Sequence, residues 1–184
     1  MVIVRNWGGS RCKGQGSAAK GGLKVKLVSV ITPSRNRTEA LLRAVTSVKN
    51  QDYSRVEHVI IGDSHPTLPV LESTISGINR KARVKNLDTP LEIFYPAQRA
   101  SIARNYGISI AKGDYIAHLD DDNQIEPDHI SSLVSTLERC EADAAHSWRK
   151  LFTADGQPFQ VTAYPWAISP CVADHVFDKF VKAG

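Results

Sequence analysis

Three consecutive carboxylates are the feature of this sequence that points most directly to chemistry. Asp120, Asp121 and Asp122 come directly after an apolar segment, Tyr115 to Leu119. Adjacent carboxylates repel one another unless a cation or water offsets their charge. Hard divalent ions take carboxylate oxygens and complete their shell with phosphate oxygens. The run therefore predicts a site for a divalent ion beside a bound phosphate, and a solvated acidic turn before the next helix is the alternative.

Polar groups that could bind a nucleotide follow other apolar segments. The loop from Thr32 to Arg37 offers hydroxyls and two guanidinium groups, and Asp63 could accept a hydrogen bond from a base N–H. Arg99 and Arg104 flank the expected start of a helix, where a guanidinium could pair with a diphosphate. Each also has an ordinary interpretation, as a polar loop, a turn carboxylate or a surface charge.

Strand-like and helix-like segments alternate from residue 24 onward. Apolar runs predict strands at Val25–Ile31, ended by Pro33, and at Val56–Ile61, Leu91–Tyr95 and Tyr115–Leu119. Apolar residues at helical spacing predict helices from Thr38 or Glu39 through Val48, over Val70–Arg80, from a cap at Ser101 to Ala111, and after Pro127 through Cys140. Further on, Ala144–Phe152 and Pro158–Ala163 read as a hairpin joined by Asp155 and Gly156.

This alternation predicts an α/β fold whose mixed, mostly parallel sheet is covered by helices on both faces. In such sheets, ligands bind at the carboxyl ends of the strands. We therefore expect the Thr32 to Arg37 loop, Asp63 and the aspartate run to lie on one rim of the sheet.

The charge of the 184-residue chain is unevenly distributed. The formal charge is +4, but residues 1–26 hold six basic side chains and no acidic one, which leaves −2 for the rest. We therefore expect residues 1–24 to be a flexible, Gly- and Lys-rich leader and residues 25–184 to be one domain. The basic leader could contact anionic lipid, whereas specific nucleic-acid binding is not expected.

The remaining composition favours a protein of the cytoplasm. Cys12, Cys140 and Cys171 are widely spaced and show no ligand pairing, which is typical of a reduced compartment. No apolar run approaches the roughly 20 residues that span a bilayer. We expect a cytoplasmic location, with peripheral membrane contact through the leader left open.

Four segments and the aspartate run together resemble a known family. In order along the chain they are Val28–Asn36 (VSVITPSRN), Glu57–Ser64 (EHVIIGDS), Ala103–Gly107 (ARNYG) and Ala111–Ile116 (AKGDYI). Their order and spacing resemble the family 2 glycosyltransferases of the GT-A fold, over about residues 25–180. The aspartate run corresponds to the DXD motif of that family.

The resemblance implies a metal-dependent, inverting hexosyltransferase that moves a sugar from a UDP-sugar to an acceptor hydroxyl. It implies that Thr32 and Asp63 contact uracil, that Asp121 faces the ribose or diphosphate, and that Asp122 ligates Mn²⁺ or Mg²⁺. The nucleotide-sugar-binding residues that it implies are Thr32, Pro33, Arg35, Asn36, Asp63, Arg99, Arg104, Asp120 and Asp121.

The general base is not identified by the sequence. By resemblance it is expected on an acceptor segment beyond Gly184, with Asp174 and His175 as candidates inside the chain. The acceptor itself, whether carbohydrate, lipid-linked or protein, stays open. Two alternatives remain: a sugar nucleotidyltransferase and a non-catalytic nucleotide-sugar-binding domain. Sugar nucleotidyltransferases normally have a glycine-rich loop after the first strand, and the loop from Thr32 to Arg37 contains no glycine.

Overall fold

The structure is a computed structural model, and its elements follow the expected alternation of strands and helices. It describes residues 1–6, 25–63, 68–87, 99–147, 151–152 and 157–159. The elements are β1 (Val2–Arg5), β2 (Val28–Ser34), α1 (Thr38–Lys49), β3 (Val56–Asp63), α2 (Leu68–Ile78), β4 (Ala82–Leu87), α3 (Arg99–Ile110), β5 (Tyr115–His118), α4 (His129–Arg139), β6 (Ala144–His146), β7 (Leu151–Phe152) and β8 (Pro158–Phe159). Within these ranges, no helix is both long and apolar enough to cross a bilayer.

The main unit, residues 2–145, is built on a six-stranded sheet. The strand order is β4-β3-β2-β5-β1-β6. Strand β2 is parallel to both β3 and β5, and β3 is parallel to β4, whereas β1 is antiparallel to β5. The expected mixed, mostly parallel sheet is confirmed.

Helices cover both faces of this sheet because successive side chains of a strand point to opposite sides. On one face, Ile60 of β3 packs with Leu41 of α1 and Ile75 of α2. On the other, Ile61 of the same strand packs with Ala103 of α3. Strand β3 is therefore buried from both sides, which explains the apolar run Val59–Ile61 at its centre.

Strand β2 continues through Pro33 to Ser34, so the expectation that Pro33 ends it is wrong. Proline cannot donate a backbone hydrogen bond, and in a central strand this normally breaks a ladder. Here the ladder to β5 ends at Ile31, whose carbonyl accepts from Leu119 N at 3.0 Å. Two residues later, the backbone nitrogen of Pro33 faces the same side as the carbonyl of Ile31. No hydrogen bond is lost there because the ladder to β5 has already ended, and the pairing with β3 continues.

The sequence prediction missed one parallel strand. The structure forms β4 at Ala82–Leu87, where Arg83, Lys85 and Asn86 had hidden the apolar pattern. Ala82 and Val84 pack against the α1 and α2 side of the sheet, while Arg83 and Lys85 alternate with them on the opposite face. The predicted strand Leu91–Tyr95 lies outside the described residues.

The basic leader does not begin at residue 1 as expected. Residues 2–5 form β1, which pairs antiparallel with β5 and buries Ile3 completely. The guanidinium of Arg5 lies 5.8 Å from the centre of the Tyr115 ring and donates to the carbonyl of Ala142 at 2.9 Å. A flexible leader can therefore start only after residue 6, and residues 7–24 lie outside the described chain.

The second unit comprises Met1 and residues 146–184. Its described part contains the antiparallel pair β7 and β8, in register at Leu151 with Phe159 and Phe152 with Pro158. The expected strand pairing is therefore present, while the turn residues Asp155 and Gly156 lie outside the described chain.

A polar network at the amino ends of the strands fixes β5 beside β2. The N–H of Gly113 donates to Ser29 Oγ at 2.7 Å, and that hydroxyl donates to Glu57 Oε1 at 2.5 Å. Glu57 also accepts from Lys112 N at 2.6 Å and from Arg83 Nη2 at 2.9 Å. One carboxylate thus joins β2, β3, β4 and the approach to β5.

We expect acidification to destabilise the fold through His58. This side chain is fully buried in the sheet, and burial lowers its pKa to about 3. Between pH 6.5 and 3 the unfolded chain binds a proton that folded His58 does not, so stability falls as the pH is lowered through this window. At about 1.4 kcal/mol per pH unit, the loss between pH 6.5 and 5 is about 2 kcal/mol.

Urea unfolding of the native protein and of His58→Gln at pH 7 and pH 5 measures this effect. Glutamine keeps a hydrogen-bonding group near Thr32 but does not titrate. The variant should lose less stability on acidification than the native protein, although His118 and His129, whose pKa values burial also lowers, retain a smaller contribution of the same sign. Equal losses in the two proteins would contradict the assignment.

Candidate functional site

A cavity of about 280 Å³ lies at the carboxyl ends of β2, β3 and β5. Its lining consists of Pro33, Ser34, Arg35, Arg37, Asp63, Ala100, Ala103, Arg104, Asp120 and Asp122. The structure therefore brings together most of the residues that the sequence singled out, because parallel strands end at the same edge of a sheet.

A larger cavity, of about 350 Å³, lies near the carboxyl ends of α1 and α2. It is lined by basic and apolar side chains such as Lys49, Ile78 and Lys81, and none of the described residues that line it is acidic. None of the predicted site residues that the structure describes lines it. Volume alone thus favours this larger cavity as the functional site, but the predicted binding side chains line the smaller one.

Arginine side chains hold all three aspartates of the acidic run. Arg37 Nη2 lies 2.5 Å from Asp121 Oδ1, and its Nη1 lies 2.6 Å from Asp122 Oδ2. Arg104 Nη2 lies 2.6 Å from Asp120 Oδ1. These contacts offset the mutual repulsion of the carboxylates.

The two carboxylates that contact Arg37 differ sharply in burial. The Asp121 side chain is 0% exposed, whereas those of Asp122 and Arg37 are 51% and 53% exposed. Removing the partner of a buried charge is strongly destabilising, while an exposed pair contributes little. The Arg37–Asp121 contact is therefore mainly structural, and Asp122 remains accessible to a ligand.

The backbone at Asn36 directs Arg37 toward the aspartates. Asn36 has φ of 55°, in the left-handed region that asparagine tolerates better than most residues. This turn reverses the chain between β2 and α1 and leaves Arg37 at the N-cap position of α1, with no side-chain capping hydrogen bond within the described helix. The guanidinium is thus free to cross to the strand β5 side of the cavity.

Two buried polar atoms in the cavity wall lack a hydrogen-bond partner among the described residues. They are Ser34 Oγ and Asp63 Oδ1, and these two residues are only 3% and 5% exposed. A buried polar atom without a partner costs about 1–3 kcal/mol. A ligand with N–H or O–H donors would satisfy both atoms.

Thr32 does not line this cavity. Its hydroxyl is fully buried and shares a hydrogen bond of 2.9 Å with His58 Nε2. The register pairs Thr32 with Ile60, so both point to the face covered by α1 and α2, whereas Asp63 has the opposite parity and points to the other face. Thr32 Oγ1 is engaged with His58 inside the fold, and Thr32 is not among the residues that line the cavity beside Asp63.

Other predicted residues are placed as follows. Pro33 and Arg35 line the cavity, and Asn36 contributes through its backbone turn. Arg99 begins α3, but its side chain is outside what the structure describes, as are Asp174 and His175.

Sequence reasoning missed the roles of Ser34 and Arg37. Both lie inside the loop that it identified. In the structure Ser34 is the last residue of β2, beside Gly62, and lines the cavity.

The carboxylates fit a hard divalent cation only with help from a ligand. Within the described ranges, no three Asp, Glu, His or Cys side chains form a group that could hold a metal ion. Asp122 presents an accessible carboxylate to the cavity. Mg²⁺ commonly binds through one or two carboxylates together with substrate phosphates and water, and this donor set is compatible with that arrangement.

Comparison with known proteins gives consistent matches. A family model described as glycosyl transferase family 2 matches residues 29–170. The putative colanic acid biosynthesis glycosyl transferase WcaA of Escherichia coli K12 is 30% identical over 109 residues, which cover 59% of this chain and 37% of that protein. The putative teichuronic acid biosynthesis glycosyltransferase TuaG of Bacillus subtilis is 27% identical over 72% of this chain and 50% of that protein.

Among solved structures, S. aureus TarS has a TM-score of 0.52 and 21% identity, covering 62% of this chain and 20% of that chain. This similarity concerns the fold, and the expected GT-A arrangement is confirmed. The chain spans only about a third to a half of the length of the relatives described above. Since the family model matches most of the chain, the protein belongs to glycosyl transferase family 2.

Proposed function

We propose that this protein transfers a sugar from a UDP-sugar to an acceptor hydroxyl in a metal-dependent, inverting reaction. The observation that carries the proposal is the composition of the cavity at the carboxyl ends of the strands. It combines arginines and an accessible carboxylate with buried polar atoms that have no partner among the described residues. A nucleoside diphosphate carries the complementary groups: a base with an N–H, ribose hydroxyls and two phosphates.

Asp63 and Ser34 would bind the nucleoside. A carboxylate accepts hydrogen bonds only, so Asp63 Oδ1 suits the imide N–H of uracil. Ser34 can donate or accept and suits a carbonyl of the base or a ribose hydroxyl. The register places Ser34 beside Gly62, immediately before Asp63, so the two groups belong to neighbouring strand ends. We therefore assign Ser34, in place of Thr32, to the nucleoside site.

Arginines and Asp122 would bind the diphosphate end of the donor. Arg35, Arg37 and Arg104 line the cavity and can pair with phosphate oxygens. A divalent cation bound at Asp122 would offset the charge that develops on the leaving diphosphate. Arg104 also holds Asp120 at the edge of the cavity and thereby keeps the acidic run oriented.

The acceptor is proposed to be a carbohydrate. The relatives from E. coli and B. subtilis are named for the biosynthesis of colanic acid and teichuronic acid. The test is the release of UDP from a panel of UDP-sugars with Mn²⁺, with and without sugar acceptors. Failure of every nucleotide-sugar to bind or react would overturn the proposal.

We expect Asp63→Asn to weaken UDP binding by about 1–3 kcal/mol while the metal requirement remains. The amide places a donor where the native carboxylate accepts, and the fold changes little because Asp63 Oδ1 has no partner among the described residues. Isothermal titration with UDP, in the presence and absence of Mn²⁺, measures both quantities.

The control for base recognition is a purine diphosphate on the native protein. Asp63 is expected to favour UDP over GDP or ADP, and Asp63→Asn should narrow that preference. Equal binding of UDP and a purine diphosphate to the native protein would show that Asp63 does not read uracil.

A further inference from the structure

We infer that Arg37 competes with the divalent cation for Asp122 and acts as a latch on the acidic run. With no cation bound, Arg37 contacts both Asp121 and Asp122; when a cation binds, Arg37 leaves Asp122 and stays on Asp121. This inference rests on the proposed function, because it takes the cation site at Asp122 from it.

One guanidinium serves two carboxylates at the same time. Its Nη1 contacts Asp122 Oδ2 at 2.6 Å, while Nη2 and Nε contact Asp121 at 2.5 and 3.3 Å. A hard cation needs a carboxylate oxygen with its lone pairs free. At Asp122, Arg37 already occupies Oδ2, so a divalent cation that takes this oxygen must displace the guanidinium.

The difference in burial decides which contact is released. Asp121 is completely buried and would be left with an uncompensated charge if Arg37 withdrew from it. Asp122 is half exposed, and water can replace its arginine at little cost. Exchange is therefore confined to Asp122, and Arg37 remains anchored by its contact with Asp121.

The surroundings of Arg37 permit this exchange. Its side chain is 53% exposed and lines the cavity, so the Nη1 released from Asp122 faces the space available for a diphosphate. Ser34 Oγ and Asp63 Oδ1 in the same wall are buried and have no partner in the described part of the chain, which independently indicates that the cavity is built for a ligand. A single side chain thus links binding of the cation to release of a positive group toward the donor.

The test is a titration of the protein with Mn²⁺, followed by the loss of the electron paramagnetic resonance signal of free Mn²⁺, without and with UDP. The proteins are native, Arg37→Gln, Arg37→Lys and Arg104→Gln. Lysine keeps a positive charge near buried Asp121 but lacks the planar fork with which the guanidinium contacts both carboxylates. Arg104→Gln removes one charge from the same cavity while leaving Arg37 in place.

Without UDP, both Arg37 variants should bind Mn²⁺ about five-fold more tightly than the native protein, the change that corresponds to ~1 kcal/mol. Arg104→Gln should tighten binding by a smaller factor. Mn²⁺ should also raise the melting temperature of Arg37→Gln more than that of the native protein, because it restores a cation beside the acidic run.

Native and Arg37-variant proteins that bind Mn²⁺ equally, or variants that bind more weakly, would overturn the latch and leave the proposed cation site intact. Tightening in Arg37→Gln and Arg104→Gln but not in Arg37→Lys would reveal a general charge effect and would also overturn it. If no Mn²⁺ binds to any of the four proteins, even with UDP, both the latch and the proposed metal dependence fail.

Discussion

Replacing Asp122 with alanine is expected to remove the part of the UDP-induced stabilisation that depends on Mn²⁺ or Mg²⁺. A ligand that binds only the folded state stabilises it by about 2.7 kcal/mol at 100 times its dissociation constant. Asp121 is buried, whereas Asp120 and Asp122 are each about half exposed and paired with one arginine. The resemblance to the family assigns the cation to Asp122. Its loss should therefore leave UDP binding that is weak and insensitive to metal.

Thermal unfolding with UDP alone, metal alone and both together measures this effect. The control is Asp128→Ala, which removes an exposed carboxylate six residues further along, outside the cavity. The control should keep the full metal-dependent shift. A metal-dependent shift that survives in Asp122→Ala would contradict the assignment of the cation to this residue.

The position of the site could be predicted from the sequence, whereas the direction of individual side chains could not. Polar residues after apolar segments identified the rim, because the carboxyl ends of parallel strands meet there. Choosing between Thr32 and Ser34 required knowing that β2 runs through Pro33, and this depends on where its ladder to β5 ends. The point at which this ladder ends is set by β5, which lies more than 80 residues away in sequence.

The pairing of charged groups could not be predicted from the sequence either. Arg37 and Asp121 are separated by 84 positions and meet only because β2 and β5 are adjacent in the sheet. The same holds for β1, whose four residues acquire a strand conformation by pairing with β5. A segment so short carries too little pattern to be distinguished from the basic leader that follows it.

Gly113→Ala is expected to destabilise the fold by about 3 kcal/mol or more, at the upper end of the usual cost of overpacking. An added Cβ would lie 2.5 Å from Ser29 Oγ, 2.6 Å from Ser29 N and 2.6 Å from the carbonyl oxygen of Tyr115. Two of these three atoms belong to the backbone of paired strands, so the clash cannot be relieved by turning a side chain. The substitution must displace β5 or break the hydrogen bond from Gly113 N to Ser29 Oγ.

Gly77→Ala is the matched control. A Cβ at Gly77, in helix α2, meets nothing within 4 Å in the described chain, so alanine should stabilise the protein by about 0.5–1 kcal/mol through its helix preference. Urea unfolding of the two variants at pH 7 should therefore give changes of opposite sign. Since β5 leads directly into the aspartate run, Gly113→Ala should also weaken metal-dependent UDP binding, whereas Gly77→Ala should not. Equal stability of the two variants would mean that β2 and β5 can separate at Gly113 without a cost in folding free energy. The amino end of β5 would then not help to hold the aspartates in place.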